Sequence, residues 1–535
     1  MTAKTRKFWG WGAVEDDLTP EEIRALTGVM QARHGIKGLV AQPPPRIEEI
    51  SLRPPRVRPP TALAALCSQE PLDRAGHTYG KAFKDVVRAY ARDFSPAPDW
   101  VAYPRTESDV MGLLEWCSGN AIAAIPYGGG SSVVQGVEAA VGHRYKGAVS
   151  IDIKYLNRVL EVDRTSRAAH LEAGLYGPDL EAALRPHGLT LRHYPQSFEF
   201  STLGGWIATR GGGHYATLYT HIDDFVESVR LVTPKGALES RRLPGSGAGP
   251  SPDRMFIGSE GILGIVTSAW MRLQDRPRFR SGASVFFPTF LKAADAVRQI
   301  AQAGLYPANV RILDPTEALN NLVADGTSAV MVLGFESHDH ALDAWMVRAL
   351  EICRDHGGSV PKDAMRAASD HEAVRKGAAG AWRDAFIRMP YFRDAMVGMG
   401  MVSETFETAI TWERFPVFHE QVMEATQKAV REVCGGGSVS CRFTHAYPDG
   451  PAPYYSIQAP GKKGGQLSQM EEIKSAASEA VIKLGGTITH HHAVGRYHRP
   501  WYDKQRPELF AQALRAAKKT LDPAGILNPG VLIDP

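Results

Sequence analysis

The stretch Pro126-Tyr127-Gly128-Gly129-Gly130-Ser131-Ser132 follows directly on the strand-like run AIAAI, and its reading decides the fold. Three glycines permit positive φ and leave backbone N–H groups uncovered, and two hydroxyls add donors. Together these make an anion nest suited to a diphosphate. A hairpin or a plain surface turn uses the same residue types, and the loop is neither G-x-G-x-x-G nor a Walker loop. A second cluster tips the balance: Tyr194-Pro195-Gln196-Ser197-Phe198-Glu199-Phe200-Ser201-Thr202-Leu203-Gly204-Gly205-Trp206-Ile207-Ala208-Thr209-Arg210-Gly211-Gly212-Gly213. Two glycine sets around a short apolar run let backbone approach a large flat ligand, with Ser197, Thr202 and Thr209 as polar contacts. A third cluster, Gly258-Ser259-Glu260-Gly261-Ile262-Leu263-Gly264-Ile265-Val266, runs from a turn into a strand.

Outward from these loops, between Thr78 and Gly174, the runs WVAYP, AIAAIPY and AVSIDI alternate with a helical pattern at Ser108 to Asn120. That is the habit of an α/β or α+β unit. It continues through SVRLVTPKG and ILGIVTSAWMRL to a basic exit at Arg276 to Ser281. Beyond it, VFFPTF, AVMVLGF, CRFTHAY and YYSIQA are separated by helical stretches at Phe290 to Ala303, His340 to His356, Pro416 to Cys434 and Gln469 to Leu484. This predicts a sheet covered by helices. Towards the N-terminus, Thr19-Pro20-Glu21-Glu22 offers a capping hydroxyl, a first-turn proline and a glutamate three residues after the cap, so a helix is expected to about Arg33. Ala41 to Pro60 is proline-rich and basic and reads as an extended strap. A final helix is expected from Pro507 to Leu521. The predicted divisions are 1–75 (helix and strap), 76–280 (first unit), 281–495 (second unit) and 496–535 (a helical segment returning to the first unit).

The chain has 535 residues, 44% of them hydrophobic, which is ample for two large domains and excludes a disulfide-stapled miniature. Lys and Arg number 61 against 58 Asp and Glu, so no global basic field advertises nucleic acid. Cys67, Cys117, Cys353, Cys434 and Cys441 form no C-x-x-C pair, which argues against a zinc or iron–sulfur site and for a reducing compartment. The opening MTAKTRKFWGWG lacks the apolar core of a signal peptide. No uncharged apolar run approaches the roughly 18 residues a membrane span needs.

The glycine loops resemble the PCMH-type FAD-binding domain of the vanillyl-alcohol-oxidase flavoproteins. The resemblance extends more narrowly to the alkyldihydroxyacetonephosphate synthase family, FAD-binding oxidoreductase/transferase type 4. The stretches that carry it are PYGGGSSVVQGVE, SFEFSTLGGWIATR, DDFVESVRLVTPKG, GSEGILGIVTSAW, YFRDAMVGMGMVSETFETAITWERF, VSCRFTHAY and THHHAVGRYHRPW, spanning roughly Trp100 to Leu532. It implies an α+β, two-domain fold: the FAD-binding domain and a cap domain of antiparallel sheet covered by helices. It also implies FAD as cofactor, held by Pro126 to Ser132, by Gln196 to Thr202 with Gly205, Thr209, Arg210, Gly211 and Gly212, and by Glu260 to Val266. Because the first loop ends in Ser131-Ser132 and offers no histidine, non-covalent attachment is expected.

The resemblance implies catalytic roles for Tyr454, as acid/base, and for His490, His491 and His492. A phenol of ordinary pKa near 10 is a poor base unless neighbouring cations stabilise the phenolate. On its own residues Tyr454 reads equally as a packed strand aromatic. The three histidines follow an apparent short strand, Thr487 to Thr489, which would put His490 and His492 on one face and His491 on the other. They read alone as either metal ligands or a solvated turn; in the family they line the active site without metal. Arg393 falls where the family grips the substrate phosphate, with an ion pair to a nearby carboxylate as the plain alternative. Arg311 falls near the flavin. Departures from the animal enzymes stand at Gly211 to Thr217, at Ala493 in place of glycine, and at Glu317 to Thr327.

The implied activity replaces the acyl group of 1-acyl-dihydroxyacetone phosphate by a long-chain fatty alcohol through flavin N5, in ether lipid synthesis. The competing readings are an FAD-dependent D-2-hydroxy acid dehydrogenase or alcohol oxidase on the same fold, and a non-catalytic scaffold. Expected partners are the two lipid substrates, with peripheral membrane contact through the Thr19 helix or the basic strap, room for a homodimer, and no nucleic acid. The ending Leu532-Ile533-Asp534-Pro535 carries no Ser-Lys-Leu type signal. The location expected is a bacterial cytoplasm, at the inner membrane face.

Overall fold

In the computed structural model, which describes residues 4–219, 221–360, 377–462 and 464–534, the first glycine loop leaves the strand Ile122–Tyr127. That strand lies parallel to Gly147–Asp152, itself parallel to Trp100–Ala102, with Cys67–Ser68 on the edge. Every residue of Gly147–Asp152 is buried, as expected of a parallel strand covered on both faces. The helix Glu107–Asn120 begins at a reciprocal cap: Thr106 Oγ1 accepts from Asp109 N–H at 3.1 Å, and Asp109 accepts from Thr106 N–H at 2.9 Å. A second, antiparallel sheet has the order Val159–Asp163, Ala168–Glu172, Ile265–Arg272, Val226–Thr233, Gly236–Glu239. The end of the chain packs here too. Ala124 N–H donates to Ile526 O and Asn528 N–H to Ala124 O, both at 2.9 Å, while Ile526, Leu527 and Val531 are wholly buried in this core.

Besides a two-stranded pairing of Leu189–Thr190 with Gln274–Asp275, a six-stranded antiparallel sheet has the order Phe279–Phe287, Ala329–Ser337, Asn309–Leu313, Ser438–Ala446, Pro451–Ala459, Val402–Glu407. Helices Phe290–Gln302, Asp343–Asp355, Phe415–Cys434 and Gln466–Lys483 fall within a few residues of the stretches read from the sequence. The edge strand Val402–Glu407 went unread because Ser403, Glu404, Thr405 and Glu407 break its apolar pattern. The helix Gly377–Gly398 went unread because Pro390 lies inside it, ordinarily a helix-breaking signal.

The helix Pro20–His34 carries the capping box expected at Thr19 and Glu22 and closes at Gly35, where φ is +64°. Its Met30 packs with Met396, Met399 and Met401. The strap is extended apart from a turn at Ile47–Glu49. Its basic character is partly internal: Arg53 and Arg56 hold buried Asp99 at 2.6 and 2.8 Å. Against burial, these partners bring Asp99 down to about 2. Met1 to Ala3 and Pro535, which entered the readings of the two ends, lie outside the described residues.

Candidate active site

The three glycine segments interlock. A Cβ at Gly128 would overlap Thr202 Oγ1, and one at Gly129 would overlap the Phe200 carbonyl, so the first loop sits directly on the second cluster. Gly130 turns at φ +65° against the Tyr127 hydroxyl. A Cβ at Gly261 would stand 2.8 Å from Pro126 Cγ, which brings in the third segment. The junction is stitched by Arg6, a residue the sequence reading passed over: its guanidinium donates to Gly129 O at 2.6 Å, Phe200 O at 3.3 Å and the Tyr176 hydroxyl at 3.0 Å.

Together these segments wall a cavity of about 650 Å³, within the roughly 300–1,000 Å³ usual for ligand sites. Residues Pro126 to Ser132 line it, as do Gln196, Ser197, Ser201, Thr202, Gly205, Thr209, Gly211, Gly212, Glu260, Gly261, Gly264, Ile265 and Val266. Six residues expected to hold cofactor stand outside the wall. Ile262 and Leu263 are fully buried in the core, and Phe198 stacks on Tyr194 with ring centroids 4.4 Å apart. Glu199 is exposed, Phe200 packs edge-on against Trp11, and Arg210 turns away to Asp223. A flavin dinucleotide fits what remains. At Gly205 a Cβ would meet only Thr202 Oγ1, at 3.5 Å, and at Gly211 nothing nearer than 3.6 Å, so bare backbone faces the space. Asn528 Oδ1, buried without a hydrogen bond to the protein, is at the same wall.

The cavity continues to the antiparallel sheet. Arg442, Tyr454 and Glu407 are register neighbours on three adjacent strands, so their side chains share a face. The Arg442 guanidinium lies 4.0 Å from the Tyr454 ring centroid, and Glu317 ion-pairs with Arg442, both fully buried. Ser440 adds a hydrogen bond to Glu317 at 2.5 Å. The Tyr454 hydroxyl donates to Thr405 Oγ1 at 3.0 Å. Burial raises Tyr454 above its ordinary pKa, and the opposing pull of Arg442 and Thr405 does not reverse it. The balance therefore runs away from the phenolate that a base would need.

The histidine loop is not strand-like, and the expected alternation fails with it. His491 and His492 both face the cavity, with ring centroids 6.1 and 5.4 Å from that of Tyr454. His490 instead turns behind them, its Nε2 3.0 Å from the Tyr447 hydroxyl and its ring 4.9 Å from His445. Burial, more than the neighbouring imidazoles, lowers His490, His492 and His445 well below the ordinary histidine value. These rings are neutral at pH 7. His445, His490 and His491 bring ring nitrogens within 4.8 Å of one another, the spacing of a metal set. Their nitrogens already hydrogen-bond elsewhere: His445 to Gly213 O at 3.0 Å, His490 to Tyr447, and His490 Nδ1 to His491 Nδ1 at 3.1 Å. The group is built as a hydrogen-bond chain.

Arg311 and Arg393 also line the cavity. Arg311 bonds Asn309 Oδ1 at 3.1 Å and is brought down to about 9 by burial and by Arg442 beside it. Arg393 makes the ion pair of its plain reading. It is ion-paired with buried Asp394 at 2.7 Å and donates to Lys81 O at 2.8 Å, yet it faces the cavity. Asp394 in turn accepts from Trp11 N–H at 2.6 Å. Glu407, His445 and Arg442 sit inside stretches that the sequence reading quoted, but without a role.

Residues 98–240 match the family model described as an FAD binding domain, and residues 276–532 match that of the C-terminal domain of FAD linked oxidases. The alkyldihydroxyacetonephosphate synthase of Dictyostelium discoideum is 31% identical over 510 residues, covering 91% of this chain and 83% of the relative. A solved structure of an alkyldihydroxyacetonephosphate synthase superposes with a TM-score of 0.79 at 26% identity, covering 98% of each chain. p-Cresol methylhydroxylase shares the fold, with a TM-score of 0.67 at 13% identity over 97% of this chain and 98% of that one.

Proposed function

Since the chain belongs to the alkyldihydroxyacetonephosphate synthase family of FAD-linked oxidases, we propose that it exchanges the acyl group of 1-acyl-dihydroxyacetone phosphate for a long-chain alcohol, giving the alkyl ether and a free fatty acid. The observation that carries this reading is the pairing of Tyr454 with His492, ring centroids 5.4 Å apart, in the wall of the cavity that the glycine segments enclose. Bound FAD, non-covalent in a loop without an attachment residue, supplies an electron-accepting ring; the exchange involves no net oxidation.

In this arrangement the His492 imidazole, whose burial favours the neutral form, accepts the proton lost from the substrate C1. The Tyr454 hydroxyl turns its one proton from Thr405 to the oxygen that gains negative charge, and Thr405 then donates to the phenol oxygen. Arg393 is assigned the substrate phosphate, where a guanidinium fork fits two oxygens. Arg311 adds positive charge to the same cavity. The aliphatic tails are placed against the apolar end, lined by Leu26, Met30, Met396 and Ile457.

Peripheral membrane contact belongs to the same proposal. Val29 and Leu322 line the cavity yet are 48% and 84% exposed, which puts apolar surface where a lipid substrate would enter. Among the described residues no helix is long and apolar enough to cross a membrane. The test is incubation of FAD-loaded protein with acyl-dihydroxyacetone phosphate and hexadecanol, followed by mass spectrometry. Alkyl ether and fatty acid in equal amounts support the reading; absence of the ether contradicts it.

A further inference from the structure

The histidine loop from Thr489 to Gly495 contains neither helix nor strand, so its backbone must find partners elsewhere. It finds them on two buried carboxylates. Glu407, 1% exposed, accepts from the Thr489 hydroxyl at 2.5 Å and from the backbone N–H groups of His490 at 2.7 Å, His491 at 3.2 Å and His492 at 3.0 Å. Glu260, in the third glycine segment, accepts from Val494 N–H at 2.9 Å and Gly495 N–H at 2.8 Å. Between the two sets stands Ala493, with φ at +71°, where the chain turns from one acid to the other.

The acids come from different parts of the fold: Glu407 from a strand of the six-stranded sheet, Glu260 from the turn that precedes the strand Ile265–Arg272 of the five-stranded one. Glu407 ends the strand paired with Pro451–Ala459, opposite Tyr454, so one register fixes both the phenol and the loop. Glu260 stands at the glycine-walled end of the cavity and is itself in the left-handed region, with φ at +48°. A carboxylate buried in this way is tolerable only while its donors are in place, and the amides lose their partners if it is removed.

We propose that Glu407 and Glu260 are positioning residues that clamp the loop from its two ends, setting His491 and His492 against Tyr454 only when the two sheet systems are docked. The catalytic meaning of this clamp rests on the function proposed above; the clamp itself is measurable without substrate.

The experiment compares the FAD-loaded wild type with Glu407→Gln and Glu260→Gln by amide hydrogen exchange over residues 487–497 and by steady-state kinetics. Glu407→Gln turns an NH₂ group towards amides that need an acceptor. Exchange at 490–492 should quicken by about tenfold or more, and kcat should fall about a hundredfold, as expected for a misplacement of about 1 Å. KM for the phosphorylated substrate should stay within about threefold and the flavin absorbance should be retained. Glu260→Gln should quicken exchange at 494–495. If the 407 variant does not fold, Thr489→Val removes one donor at constant volume and should slow turnover, and Thr489→Ser should restore it. Unchanged exchange with wild-type kcat in Glu407→Gln or Thr489→Val overturns the clamp. Quickened exchange in a protein that makes no ether supports the clamp and overturns the proposed function instead.

Discussion

Arg442 and Tyr454 are cross-strand partners, with the guanidinium carbon 4.0 Å from the ring centroid and the whole arginine buried. The cation faces the π-surface while the hydroxyl reaches Thr405 at the ring's far end, so the ring is held at both ends. Under the function proposed above, these two contacts hold the ring in place for Tyr454 to act as a proton donor.

Tyr454→Phe keeps the ring and removes only the hydroxyl. It should lower kcat by about 10²–10⁴-fold, the usual worth of a positioned acid or base, with FAD still bound. Kinetics together with the visible spectrum check this; a colourless variant would assign Tyr454 to cofactor retention.

Arg442 and Glu317 are both about 2% exposed and answer each other's charge. Arg442→Met leaves the carboxylate buried and unpaired, and should cost about 3–5 kcal/mol in urea unfolding. Arg442→Met with Glu317→Gln should recover part of that loss, so a double-mutant cycle isolates the pair.

Arg393→Ala should raise KM for the phosphorylated substrate at least about tenfold, the loss of roughly one charge-assisted contact, while leaving KM for the alcohol nearly unchanged. Equal effects on both would remove Arg393 from the phosphate site.

Ala493 holds φ at +71° in the middle of the histidine loop. The left-handed region costs an L-residue about 1–2 kcal/mol, against about 0.4–1 kcal/mol of extra unfolded-state entropy for glycine. Ala493→Gly should therefore be neutral or stabilise the fold by up to about 1.6 kcal/mol. Thermal or urea unfolding measures this.

Stability should rise with pH between about 4.5 and 6.5. His445, His490 and His492 lie well below the ordinary histidine value, and burial brings His193 to about 3 and His419 and His498 to about 4. In that window the unfolded chain binds protons that the folded chain does not, so each such group favours folding more as pH increases. Asp85, Glu260 and Asp314, raised to about 7 by burial, work in the opposite direction but are fewer. Glu407, which burial would raise but the facing His491 and the loop's hydrogen-bond donors hold well below the carboxylate range, adds stability above its ordinary value that is lost as pH falls further. Unfolding midpoints measured across this range should climb; a flat profile would mean that the histidines are solvated.

The glycine segments and most helices were legible because they depend on local rules: positive φ, capping and period. The histidine loop was not, because its shape is set by Glu407 and Glu260, which lie up to 85 and 235 residues away in the chain. Glu407 itself was hidden in a strand whose polar pattern conceals its burial. Arg6 was unreadable for the same reason: its partners are backbone carbonyls at Gly129 and Phe200, visible only once the loops interlock.

The most direct measurement of the central claim follows the flavin absorption anaerobically while the loaded enzyme turns over acyl-dihydroxyacetone phosphate and hexadecanol. The account predicts that ether and fatty acid accumulate one for one and that the oxidised flavin band is the same at the end as at the start. Bleaching by a D-2-hydroxy acid, with no ether formed from the lipid pair, would contradict it.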